Sequence, residues 1–237
     1  MSNNPRFLSP DIPIIGESLK LGAEESAHCA KVLRMKPGET ICLIDGSGTV
    51  AEAVITTVLS KGTEVRIIKK DFYHKKSRIT LAFGLTKPQA LEHIFRKCTE
   101  LGIQAFQPLV TDHSLHPNSW NTERWSKILL EACKQCQDPW VPELQEPLAL
   151  KDWLTQTKTP SLLFFCDELS RKHSEVTIGS ESASLLIGPE GGWSDSERKQ
   201  IASHTPVHLG LGPNRLRSET ACVAAVTLLK FFLGELK

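Results

Sequence analysis

Residues 183–197 read ASLLIGPEGGWSDSE. The apolar run Leu185-Leu186-Ile187 stops at Gly188-Pro189-Glu190-Gly191-Gly192, and Ser194 with Glu197 then forms an S-x-x-E capping box that opens a helix. A short apolar run closed by a turn and followed by a helix reads as half of a βα unit. The turn holds three glycines around one carboxylate. Its backbone must either bend very tightly or be approached closely by something else.

Outward from this stretch the same rhythm repeats. ITLAFGL (79–85) is a short apolar run, and PQALEHIFRKCTELG follows with Leu91, Ile94, Phe95, Cys98 and Leu101 on one helical stripe and Gly102 as a stop. IQAFQPLV is a further strand, and Trp125, Ile128, Leu129, Ala132 and Cys136 mark a second amphipathic helix. SLLFFC, SLLIG and VHLGL are three more apolar runs. Alternating strands and helices predict an α/β unit with a mostly parallel sheet covered on both faces. A last helix from about Ser218 into FFLGEL is apolar nearly all round, which suits the core or a subunit interface. The Pro-rich segment 137–160 carries no clear element.

The first seventy residues differ. ETICLID, TVAEAVITTV and Glu64–Ile68 read as short strands, with Asp45-Gly46-Ser47-Gly48 as a tight turn and AEESAHCAKVLRM as a helix ended by Pro37-Gly38. This predicts a compact barrel-like module over residues 1–72, followed by the α/β domain over 73–237.

Composition is that of an ordinary globular chain of 237 residues with a net charge of +1. No apolar run approaches the roughly 20 residues that cross a bilayer, and the start lacks a signal-peptide core, so a cytoplasmic protein is expected. Seven scattered cysteines suit free thiols. Cys133 and Cys136 lack a second pair, and His113 with His116 is too weak a pattern, so no metal is expected. Residues 1–78 carry a balance of +3 and the remainder −2. The stretch KKDFYHKKSR, from Lys69 to Arg78, interleaves base and aromatic: it suits either contact with nucleic acid or a solvated linker.

In a parallel sheet, ligands sit beyond the carboxyl ends of the strands. Three strand ends here carry unusual turns: Phe165 to Glu168, Gly188 to Gly192, and Leu209 to Asn214. The usual phosphate-binding fingerprints are missing, and Glu190 would repel a phosphate. Exposed main-chain groups suit a neutral or cationic ligand, although glycines also serve tight turns alone. Glu197 reads as structural, and Glu219 gains equally from the helix dipole at its position. Arg215 and Arg217 enter a helix N-terminus, where cations are electrostatically misplaced. An anionic partner would offset that cost, as would a salt bridge to a neighbouring carboxylate.

LLIGPEGGWSDSE together with LGLGPNRLRSETA resembles the RsmE family, ribosomal RNA small subunit methyltransferase E, of the SPOUT superfamily of trefoil-knotted methyltransferases. VLRMKPGETICLIDGSG resembles the family's PUA-like RNA-binding module, and KCTELGIQAFQPLVT with EACKQC its middle portion. The resemblance implies a C-terminal trefoil knot, a homodimer, and S-adenosylmethionine-dependent methylation of N3 of one uridine in 16S ribosomal RNA, free or within the small subunit. It places the cofactor on Leu186, Ile187, Gly188, Pro189, Glu190, Gly191 and Gly192 and on Leu209, Gly210, Leu211, Gly212, Asn214 and Leu216. Arg217, Glu219 and Arg215 would face cofactor and base, and Arg34, Lys36, Lys69, Lys70, Lys75, Lys76 and Arg78 the RNA. Three positions depart from the family: Asp138 and Asn214 stand where arginine is expected, and TDHSLHP replaces a basic loop. A SPOUT enzyme acting on another RNA such as tRNA, or a non-catalytic ribosome-assembly factor, are the competing readings.

Overall fold

The computed structural model describes residues 4–75, 77–116, 118, 120–156, 162–168 and 182–236. The chain divides into two compact units, Met1–Lys75 with Cys133–Val141, and Lys76–Ala132 with Pro142–Lys237.

Among the described residues the first unit has a five-stranded sheet ordered β1-β3-β4-β5-β2. Its strands are β1 (Arg6–Leu8), β2 (Ser18–Lys20), β3 (Thr40–Ile44), β4 (Thr49–Thr57) and β5 (Glu64–Phe72). β1 runs parallel to β3, and the other pairs are antiparallel. Side chains alternate across a pleated strand, so β4 buries Ala51, Ala53 and Ile55 and β5 buries Val65 and Ile67 against Phe7, Ile41 and Leu43. The β3–β4 turn is closed by Asp45, whose carboxylate accepts from the N–H groups of Ser47 (2.7 Å) and Thr49 (2.9 Å). The helix expected over AEESAHCAKVLRM is shorter and changes its winding: α1 (Ala23–Ala27) runs into a π-turn over His28–Val32. β5 continues to Phe72, with Lys69 and Lys70 paired to Glu52 and Ala51. Residues 69–72 are therefore sheet, and a solvated linker does not begin there.

The second unit holds a parallel sheet, ordered β12-β10-β11-β6-β7 with β8 and β9 both on β7. The strands are β6 (Ile79–Gly84), β7 (Ala105–Val110), β8 (Glu143–Leu144), β9 (Leu148–Ala149), β10 (Leu162–Cys166), β11 (Ala183–Ile187) and β12 (Val207–His208). The helices are α2 (Pro88–Glu100), α3 (Thr122–Cys136, in this unit up to Ala132), α4 (Leu150–Gln156), α5 (Asp195–Ala202) and α6 (Ser218–Phe232). β8, β9 and α4 fill the Pro-rich stretch that carried no expected element, and VHLGL is strand only at Val207–His208. α2 and α6 pack against each other, and α6 also reaches β6 and β11. α4 and α5 contribute Trp153, Leu154 and Ile201 to a core with Ala82, Phe165 and Leu186 from the sheet.

Strand order matters for the site. The chain leaves β9, crosses to β10, returns to place β11 between β10 and β6, and steps out again to β12. Such a reversal gathers loops at the carboxyl ends of β10, β11 and β12. The implied knot depends on the β10–β11 connection, of which residues 169–181 lie outside the described residues.

Candidate active site

The three strand ends enclose a cavity of about 310 Å³, within the range of small-molecule sites. The end of β10 contributes Cys166, and the turn after it Asp167 and Glu168. The turn after β11 contributes Ile187, Gly188, Pro189, Glu190 and Gly192. The segment after β12 contributes Leu209, Leu211, Gly212, Asn214, Arg215 and Leu216, and α6 begins beside them with Ser218. Its polar wall is set against an apolar one of Ile187, Leu209, Leu211 and Leu216.

Three expected cofactor residues do not line this cavity. The Leu186 side chain is fully buried in the sheet core, because alternation turns it away from the loops. Gly210 is buried but off the wall. Gly191 faces the opposite way: a Cβ there would lie 2.7 Å from the Cβ of His113. The space that glycine leaves is thus occupied by protein, not held open for a ligand. His113, on the loop after β7, also places Nδ1 3.1 Å from the Gly191 carbonyl oxygen and 3.3 Å from that of Gly192. Gly192 answers a different need, a φ of +70°, which side-chain-bearing residues rarely adopt. A tight turn follows, its N–H bonded to the Pro189 carbonyl at 2.9 Å.

The helix after the turn is capped as expected. Ser194 Oγ accepts from the Glu197 N–H (3.2 Å), and Glu197 Oε2 accepts from the Ser194 N–H (2.9 Å). Glu197 is buried, and its second oxygen accepts from the Asp112 N–H at 2.9 Å. The loop after β7 is therefore tied to the start of α5, directly behind the turn after β11. Trp193 is buried in the same joint, its indole N–H donating to the Cys166 carbonyl at 3.3 Å and its ring centroid 5.8 Å from that of Phe165. Sequence reasoning missed His113 as a buttress and Trp193 altogether; the only local signal was an aromatic placed directly after two glycines.

Charge on the wall is mostly negative. Asp167 is held by a forked contact with Arg198, at 2.9 and 3.2 Å, and its carboxylate raises the Arg198 pKa. Glu168 meets Arg215 Nε at 3.2 Å, and Arg215 Nη2 donates to the Glu190 carbonyl at 3.3 Å. One guanidinium thus ties the first and second turns to the third. The Glu190 carboxylate is exposed and has no ion pair among the described residues. Such a wall favours a cationic ligand. Burial pushes the Cys166 thiol well up, so it stays a neutral wall residue and no thiolate nucleophile. Arg217 and Glu219 stand just outside the cavity. Arg217 is the N-cap residue of α6 with its side chain 86% exposed, 4.0 Å from Glu219. That is the neighbouring salt bridge, in its weakest form.

Comparison with known proteins bears on this geometry. A family model described as an RNA methyltransferase domain matches residues 74–230, and one described as an RNA methyltransferase PUA domain matches residues 21–68. The ribosomal RNA small subunit methyltransferase E of Synechocystis is 29% identical over 93% of this chain and 75% of its own. That of Bacillus subtilis is 28% identical over 90% of each chain. The chain belongs to the RsmE family of RNA methyltransferases. Among solved structures it is similar to a putative methyltransferase from Legionella pneumophila in complex with the bound cofactor SAM, at 30% identity, TM-score 0.87 and coverage of 97% and 98%. It is also similar to an RsmE from Neisseria gonorrhoeae bound to S-adenosyl methionine, at 25% identity, TM-score 0.85 and the same coverage.

On the PUA-like side of this RsmE chain the expected RNA contacts separate. Arg34, with φ +53°, and Lys36 are exposed at the end of the π-turn. Lys69 is exposed and pairs with Asp71 at 2.9 Å. Lys70 is half-buried, and its ammonium donates to the carbonyls of Ile12 (2.6 Å) and Pro13 (3.4 Å) of the same unit. Lys75 sits 5.3 Å over the ring of Trp140. Lys76 lies outside the described residues, and Arg78 is exposed just before β6.

Proposed function

We propose that this chain transfers a methyl group from S-adenosylmethionine to N3 of one uridine in 16S ribosomal RNA, working in the cytoplasm as a homodimer. Support comes first from the cavity at three strand ends, inside the region matched by the RNA methyltransferase family, in a fold whose relatives of known structure hold that cofactor. The wall suits it: apolar residues for an adenine, main-chain groups of the turns for its edges, and carboxylates for a cationic centre. Residues 1–72 serve as the RNA-holding module and 73–237 as the catalytic domain, with Cys133–Val141 joined to the former.

When bound, the cofactor supplies an electrophilic methyl on a sulfonium. The chain's own task is orientation and preparation of the nucleophile. Uridine N3 becomes nucleophilic only as its proton leaves, and negative charge then spreads onto the flanking carbonyl oxygens. The Arg217 guanidinium, exposed and held only loosely by Glu219, is free to meet that charge. Glu219, 4.0 Å from Arg217, is the carboxylate assigned to receive the N3 proton. Arg215 keeps the three turns together around the cofactor. N3 takes part in base pairing, so the target must be unpaired or flipped out. Exposed cations at Arg34, Lys36, Lys69 and Arg78, with half-buried Lys75, supply backbone contacts.

The deciding experiment is transfer of labelled methyl to small ribosomal subunits from a strain lacking the enzyme, with digestion and mass spectrometry of the product. 3-Methyluridine in 16S RNA is expected. Label in another RNA, or at another atom, refutes the substrate assignment, and absence of transfer with intact cofactor binding refutes the activity.

A further inference from the structure

A second pocket, of about 90 Å³, lies within the first unit. Arg6 on β1, Glu52 on β4, Lys69 and Asp71 on β5, and then Tyr73 and Gln137 form its walls. Arg6 is the anomaly. Among the described residues its Nε and Nη1 are buried without a hydrogen-bond partner, and Nη2 reaches only Gln137 Oε1 at 3.5 Å. A guanidinium carries five N–H donors in a fixed fork, and native folds seldom leave buried donors unspent.

Charge and shape narrow what would complete it. The Lys69 ammonium is engaged by Asp71 at 2.9 Å, and Glu52 adds another carboxylate to the wall. A phosphate entering beside Arg6 would meet both carboxylates. A neutral planar group with acceptors on one edge and donors on another meets neither objection. Guanine has that pattern: O6 and N7 accept from an arginine fork, which Arg6 presents once its side chain turns its shielded donors into the pocket, while N1–H and the N2 amino group donate to a carboxylate. Tyr73, 37% exposed, is the aromatic residue of the pocket wall and the one that could stack on a base. Beyond it the surface continues with Phe72, 56% exposed, whose ring lies 6.1 Å from Trp140, itself beneath Lys75. The pocket has room for the reading edge of a base, with its sugar and phosphate left outside.

We propose that this pocket holds an unpaired guanine of the RNA substrate, read by Arg6 and Glu52 and stacked on Tyr73. The source of that guanine rests on the methyltransferase reading; the pocket's preference does not. The test titrates full-length protein carrying ¹⁵N-arginine with guanosine monophosphate, cytidine monophosphate and inorganic phosphate. Guanosine monophosphate is expected to move the Nε–H resonance that Arg6→Lys removes, while the other two leave it in place. In methyl transfer, Arg6→Lys and Gln137→Gly are expected to raise KM for RNA roughly three- to tenfold with kcat and cofactor affinity unchanged, a loss of about 1 kcal/mol. Glycine is the substitution at 137 because φ there is +66°. Equal movement with inorganic phosphate makes this an anion site, and no movement with any ligand leaves it to water; either outcome overturns the proposal. Should wild-type protein methylate no ribosomal RNA, the activity assignment fails while the titration still decides the pocket.

Discussion

Gly191 and His113 are fitted to each other: a Cβ on the glycine would come within 2.7 Å of the histidine Cβ, and the imidazole Nδ1 lies 3.1 Å from the glycine carbonyl. The loop after β7 thereby sets the back of the turn whose front is a cavity wall. Gly191→Ala is expected to destabilise the second unit by about 1–3 kcal/mol through overpacking, and to weaken cofactor binding only through that displacement. The double variant with His113→Gly removes the colliding Cβ. Thermal unfolding and calorimetry on the single and double variants check this. Cofactor affinity that stays lost in the double variant places the effect at the cavity instead.

Arg217 and Arg215 are separated by their partners. Arg217 is 86% exposed and 4.0 Å from Glu219, so Arg217→Ala leaves folding and cofactor affinity intact. Turnover on ribosomal RNA is expected to fall about 10²–10³-fold, as for loss of one preorganised donor. Arg215 and Glu168 are 69% and 42% exposed, and solvent-screened pairs contribute at most about 1 kcal/mol. Arg215→Ala is therefore expected to change cofactor affinity no more than about fivefold. Calorimetry for binding and single-turnover methyl transfer for chemistry separate the two.

Glu197 belongs to stability. It is buried and accepts from two main-chain N–H groups, of Ser194 and Asp112, each at 2.9 Å. Glu197→Ala strands both donors, a loss of about 2–4 kcal/mol, or roughly 5–10 °C in Tm for a chain of this size. Ser194→Ala loses the cap, about 1 kcal/mol, and the hydrogen bond its Oγ donates to the Asp112 carboxylate, which at an exposed site adds little. Differential scanning calorimetry should rank the two in that order, and the reverse order would contradict the double role of Glu197.

Asp45 gives the first unit a pH dependence. Burial acts to raise its pKa, but hydrogen bonds from Thr49 and Ser47 outweigh burial and hold it below the ordinary carboxylate value. A depressed folded-state pKa contributes stability that is present above the unfolded pKa and lost as pH falls through the folded value. Asp45→Ala is expected to cost about 1 kcal/mol at neutral pH, at the screened end for a charged hydrogen bond. The gap from wild type should close below about pH 4. Hydrogen exchange of the β3–β4 hairpin amides as a function of pH checks it, and a pH-independent gap would contradict it.

Local rules carried much of this protein. β6 and β11 were legible as short apolar runs because both are buried on both faces, and α2 by its stripe of Leu91, Ile94, Phe95 and Cys98. The capping box at Ser194 and Glu197 spans three residues and needs no distant partner. β8 and β9 escaped because two-residue strands have no periodicity to read. The partners of Lys70 escaped because its acceptors, Ile12 and Pro13, lie far away along the chain, with separations of 58 and 57 residues.

The order of strands and helices, the tight turns and the helix start were written in neighbouring residues, since backbone preference and burial alternate over a few positions. Which glycine faces a ligand and which a histidine, how Arg215 joins three turns, and why Arg6 keeps unspent donors were decided only by folding. His113 and Gly191 are 78 residues apart in the chain. Periodicity reports that a side chain is buried, but the identity of what it touches exists only once the sheet has brought distant loops together.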